Sequence, residues 1–210
     1  MTRQPGLPAY DDPGRFPDRV LRAVEESRRF DFALACIPEV GRLLQLCAGL
    51  HGVQRICELG TAYGVGAAWI ESGMRPGATL LTVELDEDRA QAARTLFADN
   101  SHIEVMMGDW SLALQRGEFD LLFSDGGPKR APGDPEKIAP LVRNDGLVVL
   151  DDYTPGYDKN DVSRLIWLEN PNFYAMELML TPDASVILAR KRAAAGPAGR
   201  PGSRSGPARG

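Results

Sequence analysis

Cysteine and histidine are scarce in this chain: three cysteines and two histidines in 210 residues. Cys36, Cys47 and Cys57 are odd in number and widely spaced. No C-x-x-C pair occurs, and His51 and His102 have no ligand-like neighbour. A thiolate zinc site or a disulfide framework is therefore not expected. Cys57 sits inside an apolar run and reads as a small buried hydrophobe. No apolar stretch approaches the ~18 residues of a membrane span. The N-terminus has prolines and acids but no apolar segment of the kind that opens a secretory signal. A cytoplasmic location is the expectation, with no membrane partner. Basic residues are in deficit, with a formal charge of −5. Setting aside Arg200, Arg204 and Arg209 leaves 21 basic against 29 acidic residues over 1–192. An acidic body does not suit nucleic acid as a partner, because phosphate binding needs clustered Lys and Arg. No internal repeat is visible.

A hydrophobic fraction of 43% is enough for one full core. Residues 1–17, rich in Pro, Gly and Asp, are expected to be poorly ordered. Residues 18–192 form the folded domain, and 193–210 reads as a disordered Gly/Pro/Arg tail. Asp18 caps an expected helix running to about Ala35, and Pro38 opens a second through Leu50. From residue 54 strand and helix alternate. Strands are expected near 54–59, 79–84, 103–107, 119–124 and 146–150, with helices at 64–74, 86–99, 110–116, 134–142 and 162–168. A closing hairpin pairs 174–180 with 185–191. The fold class is α/β: a doubly wound, mostly parallel seven-stranded sheet with a C-terminal antiparallel hairpin and two N-terminal helices. Ligands in such sheets bind at the carboxyl ends of the strands.

Those ends carry a set of acids. The run Arg55-Ile56-Cys57-Glu58-Leu59-Gly60-Thr61-Ala62-Tyr63-Gly64-Val65-Gly66 reads as strand, turn and helix start. Its G-x-x-x-G-x-G spacing differs from the G-x-G-x-x-G turn that cradles a pyrophosphate. A turn opened by Glu58 suits a zwitterion with a positive centre, which points to S-adenosylmethionine (SAM). Glu84, ending the second strand, offers two oxygens to a ribose. Asp109 suits an adenine amino group, with Trp110 flanking the ring, or caps the short helix. Asp125, Asp151 and Asp152 end the fourth and fifth strands. Three carboxylates suit a hard divalent cation such as Mg²⁺, which would lower the pKa of a substrate hydroxyl.

With these motifs the chain resembles class I SAM-dependent methyltransferases, and within them the metal-dependent catechol and caffeoyl-CoA O-methyltransferase group. The likeness covers roughly 38–152, from Pro38-Glu39-Val40-Gly41 through Glu58-Leu59-Gly60 and Thr82-Val83-Glu84 to Asp125 and Asp151. It implies a Rossmann-like sheet. It implies that Glu58, Gly60 and Thr61 line the methionine part, Glu84 the ribose, and Gly108, Asp109 and Trp110 the adenine. Tyr63, Gly64, Leu85 and Asp125 are further cofactor-site candidates. Metal ligation would fall to Asp125, Asp151 and Asp152. The chain departs from that group at three places. It has Asp151-Asp152 where Asp-Asn is usual, and Gly66 where a serine is common. The usual lysine three residues after the fourth-strand Asp is absent, and Lys129 stands four after Asp125. Lys129 is a candidate general base if its loop folds inward. A solvated loop lysine beside Arg130 is the expected alternative. Tyr153, Tyr157, Trp167 and Phe173 form a substrate wall or pack the last elements.

The reading is methyl transfer to a small-molecule hydroxyl with divalent-metal assistance. The rivals are a metal-free methyltransferase acting on N, C or O, a nicotinamide dehydrogenase, and a non-catalytic SAM-binding regulator. A homodimer is a possible assembly.

Overall fold

The computed structural model describes residues 6–11, 15–156 and 161–193. Two helices precede the sheet: α1 (Asp18–Arg29) and α2 (Pro38–Ala48). Then follow β1 (Arg55–Leu59), α3 (Val65–Gly73), β2 (Thr79–Glu84), α4 (Glu87–Leu96), β3 (Ile103–Met107) and a 3-10 segment (Trp110–Arg116). β4 (Phe119–Ser124), α5 (Asp134–Ile138), β5 (Val142–Tyr153), α6 (Val162–Leu168), β6 (Phe173–Met179) and β7 (Ser185–Lys191) are the remaining described elements.

The sheet order is β3-β2-β1-β4-β5-β7-β6. β1 to β5 are mutually parallel, and β7 runs antiparallel to both its neighbours. The order reverses between β1 and β4, which makes their carboxyl ends the switch point where a ligand crevice opens. β4 is buried at every position because helices cover both faces. Side chains of β1 alternate between the two cores. Ile56 joins Val20, Leu44, Trp69 and Phe123 on the face of α1–α3. Cys57 and Leu59 join Leu122, Ile138 and Trp167 on the other.

The helices expected to reach Leu50 and Asp99 end at Ala48 and Leu96, and three other elements differ more. α1 stops at Arg29, since Asp31 adopts a left-handed backbone (φ 51°) that ends the turn. Residues 30–37 are therefore a connector rather than a helix end. The expected 134–142 helix stops at Ile138 and tightens into a 3-10 turn over Ala139–Leu141, where Pro140 has no amide to continue the α ladder. β5 begins before 146 and runs to Tyr153, with a register shift against β4 between Phe119 and Leu121.

Of the N-terminal stretch expected to be poorly ordered, residues 1–5 and 12–14 lie outside the described residues, and the described part has local structure. Residues 7–10 form a 3-10 turn, and Tyr10 is buried against Phe16. One aromatic anchor orders a segment whose Pro/Gly composition suggested none. From residue 194 onward the expected tail lies outside the described residues, as does Tyr157. Among the described residues, no helix is long and apolar enough to cross a membrane.

Candidate active site

The crevice at the switch point is built by close backbone contact. Gly60 (φ 101°) follows β1, and its amide donates to Val83 O at 2.9 Å. The amides of Asp125 and Gly126 both donate to Leu59 O, at 3.1 and 2.7 Å. The ends of β1 and β4 are thereby drawn together, and a β-carbon on Gly60 would lie 2.7 Å from Gly126 Cα. Above this crossing opens a cleft of about 420 Å³.

Of the residues expected to bind a cofactor, Gly60, Glu84, Leu85, Gly108, Asp109, Trp110 and Asp125 line the cleft. Glu84 is held rigidly. Its Oε2 accepts from Ala62 N at 2.7 Å and its Oε1 from Asp86 N at 3.0 Å. A carboxylate oxygen has two lone pairs, so both oxygens retain capacity for a ligand diol. Asp109 caps the 3-10 segment, accepting from Ser111 N at 3.0 Å. Hydrogen bonding from Ser111, through its side chain first and its amide second, holds the Asp109 carboxyl below the usual range.

Glu58, Thr61, Tyr63 and Gly64 are not on the open cleft. The first three border a void of only about 10 Å³ behind it. Thr82 donates to Glu58 Oε2 at 2.5 Å, so the 2.5 Å contact between the two threonine hydroxyls has Thr61 as donor. Burial pushes the Glu58 carboxyl well up, and the Thr82 hydrogen bond offsets part of that. Glu58 Oε1 occupies the place a β-carbon on Gly66 would take. Glycine at 66, where the resembled group often has serine, thus makes room for the Glu58 carboxylate. Tyr63 is covered by Phe30 and Phe32, at ring distances of 5.2 and 5.5 Å. Gly64 turns the chain into α3 at φ 89°.

The sequence reading missed Phe32, Leu34, Ala62, Val83, Arg89 and Gly126 on the cleft wall. Phe32 and Leu34 were hidden by the expectation that α1 reached Ala35. Arg89 is placed over Phe32 at 4.9 Å. A cation one turn into α4 was a readable but weak signal.

Beside the cleft, one carboxylate oxygen each from Asp125, Asp151 and Asp152 gather within 4.8 Å of one another. In regular strand, neighbours 151 and 152 would face opposite sides of the sheet. A register break between Leu150 and Tyr153, with Asp152 at φ 70°, turns both toward one point.

Lys129 is not a solvated loop lysine. Its side chain is 6% exposed, and Nζ donates to the carbonyl of Asp125 and to Asp152 Oδ2 at 2.9 Å. Asp125 Oδ1 is 3.7 Å away. Tyr153 Oη and Trp167 Nε1 both donate to Lys129 O, at 2.8 and 2.9 Å. Tyr153, Trp167 and Phe173 are buried. They act as packing and loop-anchoring groups here, and none lines the cleft.

Burial pushes the Asp151 carboxyl up to about 7, with Asp125 and Asp152 adding repulsion. Burial likewise pushes Asp125 up to about 6, opposed by Lys129. A quarter of the Asp125 side chain reaches solvent, so Asp151 is the more strongly perturbed of the two. Folded-state values above the unfolded ones mean that the folded protein keeps protons the unfolded chain has released. Stability of the ligand-free protein is therefore expected to fall as pH rises from about 4 to about 7 on this account. Asp151→Asn should flatten that slope and gain about 1–3 kcal/mol at pH 7.5. Thermal melts across pH check this, and an unchanged slope in the variant counts against it.

A family model described as a methyltransferase domain matches residues 57–153. A Mycobacterium avium protein named as an O-methyltransferase is 30% identical over 156 residues, covering 71% of this chain and 70% of the relative. A Mycobacterium tuberculosis protein named likewise is 30% identical over 145 residues, and the match spans 65% of each. Among solved structures, the SAM-bound O-methyltransferase TomG of Streptomyces achromogenes has a TM-score of 0.70 at 22% identity. The alignment covers 85% of this chain and 92% of TomG. The Bacillus cereus O-methyltransferase with SAH scores 0.70 at 20% identity, covering 89% and 96%. Cofactor-bound Rv0187 of Mycobacterium tuberculosis scores 0.74 at 22%, covering 91% and 99%. These structural likenesses carry the fold, and the sequence matches carry the kinship. The chain belongs to the O-methyltransferase family of these mycobacterial relatives and carries the Rossmann-like methyltransferase fold.

Proposed function

We propose that this protein transfers the SAM methyl group to a hydroxyl oxygen of a small-molecule acceptor, with a divalent cation assisting. The observation that carries this reading is the meeting of three carboxylates and the Lys129 ammonium at the edge of the switch-point cleft. Asp125 belongs to both places, lining the cleft and closing the acid cluster.

In this reading the cleft holds the nucleoside, with Glu84 taking the ribose hydroxyls and Asp109 and Trp110 the adenine. The acceptor oxygen attacks the methyl carbon in line, the carbon–sulfur bond breaks, and the sulfonium becomes a neutral thioether. The chain's contribution is orientation and exclusion of water. Entering the step as the free amine, Lys129 Nζ would take the hydroxyl proton and so become the ammonium that Asp125 and Asp152 flank.

The donor set fits a hard cation: carboxylate oxygens only, close together, with two of the three carboxyls pushed up in its absence. Asp125, Asp151 and Asp152 would hold it, and it would supply Lewis acidity toward an acceptor hydroxyl. A metal-free enzyme is the second reading, favoured by the Lys129 ammonium already countering this charge.

The three buried free thiols suit a reducing compartment such as the cytoplasm. The β6 edge, with Tyr174, Met176 and Met179 exposed, is the surface we assign to a homodimer.

Methyl transfer is to be assayed on catechols, hydroxybenzoates and sugar-like diols, with EDTA and with added Mg²⁺ or Mn²⁺. Turnover of a vicinal diol, lost in chelator and restored by metal, is the expected result. Full activity in EDTA would select the metal-free reading. SAM bound without turnover of any acceptor would remove the enzyme assignment.

A further inference from the structure

The connector between α1 and α2 roofs the acid cluster. Cys36 and Ile37 face Asp125, Asp151 and Asp152 across a void of about 30 Å³, and Leu34 also borders the larger cleft. That void has room for an ion or a water or two. How far an acceptor enters therefore depends on where this roof sits.

The two ends of the roof are fixed differently. On the cofactor side Phe30 and Phe32 pack on Tyr63. On the acid side the hold comes from the N-terminal turn. Tyr10, 1% exposed, donates to Cys36 O at 2.7 Å and accepts from Trp69 Nε1 at 2.9 Å. Trp69 lies on α3, the helix that starts from the glycine-rich turn. Gly6 N adds a bond to Ala33 O at 3.2 Å. One phenol thus ties α3 to the backbone of the roof.

We propose that Tyr10 is a positioning residue for the acceptor: by holding the Cys36 carbonyl it fixes the Leu34–Ile37 roof above the three aspartates, and the N-terminal turn is part of the acceptor pocket. This rests on the acceptor binding at the acid cluster, as proposed above. Tyr10 touches neither cofactor nor reacting atoms in this scheme. Its removal leaves a buried carbonyl and a buried indole N–H without partners, and both would seek new ones by moving the roof.

The test is Tyr10→Phe in the full chain, with Arg28→Ala as a milder second variant should the first not fold. Arg28 Nη2 donates to Leu7 O and to Asp11, so its loss loosens the same turn from the surface. Iodoacetamide labelling, resolved by peptide mass mapping, is expected to modify Cys36 about tenfold faster in Tyr10→Phe, while Cys57 in β1 stays unchanged. SAH affinity by calorimetry should stay within about twofold. With 3,4-dihydroxybenzoate as acceptor, KM should rise about tenfold and kcat should change by less than about threefold. An unchanged Cys36 rate, Cys36 and Cys57 accelerating together, or an unchanged KM would each overturn the proposal. If the parent protein does not methylate this acceptor, the proposed acceptor class fails, and the labelling still decides whether Tyr10 holds the roof.

Discussion

Gly60→Ala is expected to lower SAM affinity by about 100-fold or more, and Gly60→Val to abolish measurable binding. The cause lies beneath the cofactor rather than in its space. A β-carbon at Gly60 would collide with the backbone of Gly126, which is held by its own bond to Leu59 O. The φ of 101° adds strain for any side chain. The loop after β4 would have to retreat, carrying Asp125 and Gly126 away from the cleft they line. Calorimetry with SAM and SAH is the measurement, alongside a thermal melt. A folded Gly60→Ala protein that binds SAM with parental affinity would disprove this account of the crevice.

Asp125→Ala is expected to reduce kcat/KM for methyl transfer by about 10³-fold while leaving the fold intact. Asp125 stands where the cleft and the acid cluster meet, and it faces the Lys129 ammonium at 3.7 Å. Losing it removes a candidate cation ligand and frees Lys129 to pair with Asp152 alone. Because its pKa is raised, its charge costs stability at neutral pH, so the melting temperature should not fall. Asp125→Asn separates the roles: it keeps the side-chain size and an oxygen donor but not the charge. Near-parental turnover in Asp125→Ala would show that chemistry occurs elsewhere.

Much of this site could be read from the chain because its determinants are local. Strand-end acids follow from an apolar run meeting a turn, so Glu84, Asp109 and Asp125 came from pattern alone. β2, β3, β4, α6 and β7 occupy the residues expected of them. What could not be read depends on contacts far apart in sequence. Lys129 resembled a solvated lysine because nothing local announces that Tyr153 and Trp167 will hold its carbonyl. Tyr10 sat in a Pro- and Gly-rich stretch whose composition says nothing of Trp69, 59 residues on. Phe32 and Leu34 were assigned to α1 because helical spacing fades gradually, whereas the left-handed Asp31 stops it at one residue. Glu58 was readable as a strand-end acid, but not its enclosure behind the cleft by Thr61 and Thr82.

The backbone at residue 152 also narrows what evolution can write there. With φ at 70°, only glycine, asparagine and aspartate settle without appreciable penalty. Glycine would abandon the cluster, so the realistic alphabet has two letters, differing by one formal charge and almost nothing in shape. The Asp-Asn of the resembled group and the Asp-Asp of this chain are then two settings of one dial. A single nucleotide change in the Asp codon reaches the other setting, shifting the local electrostatic balance while the scaffold stays as it is.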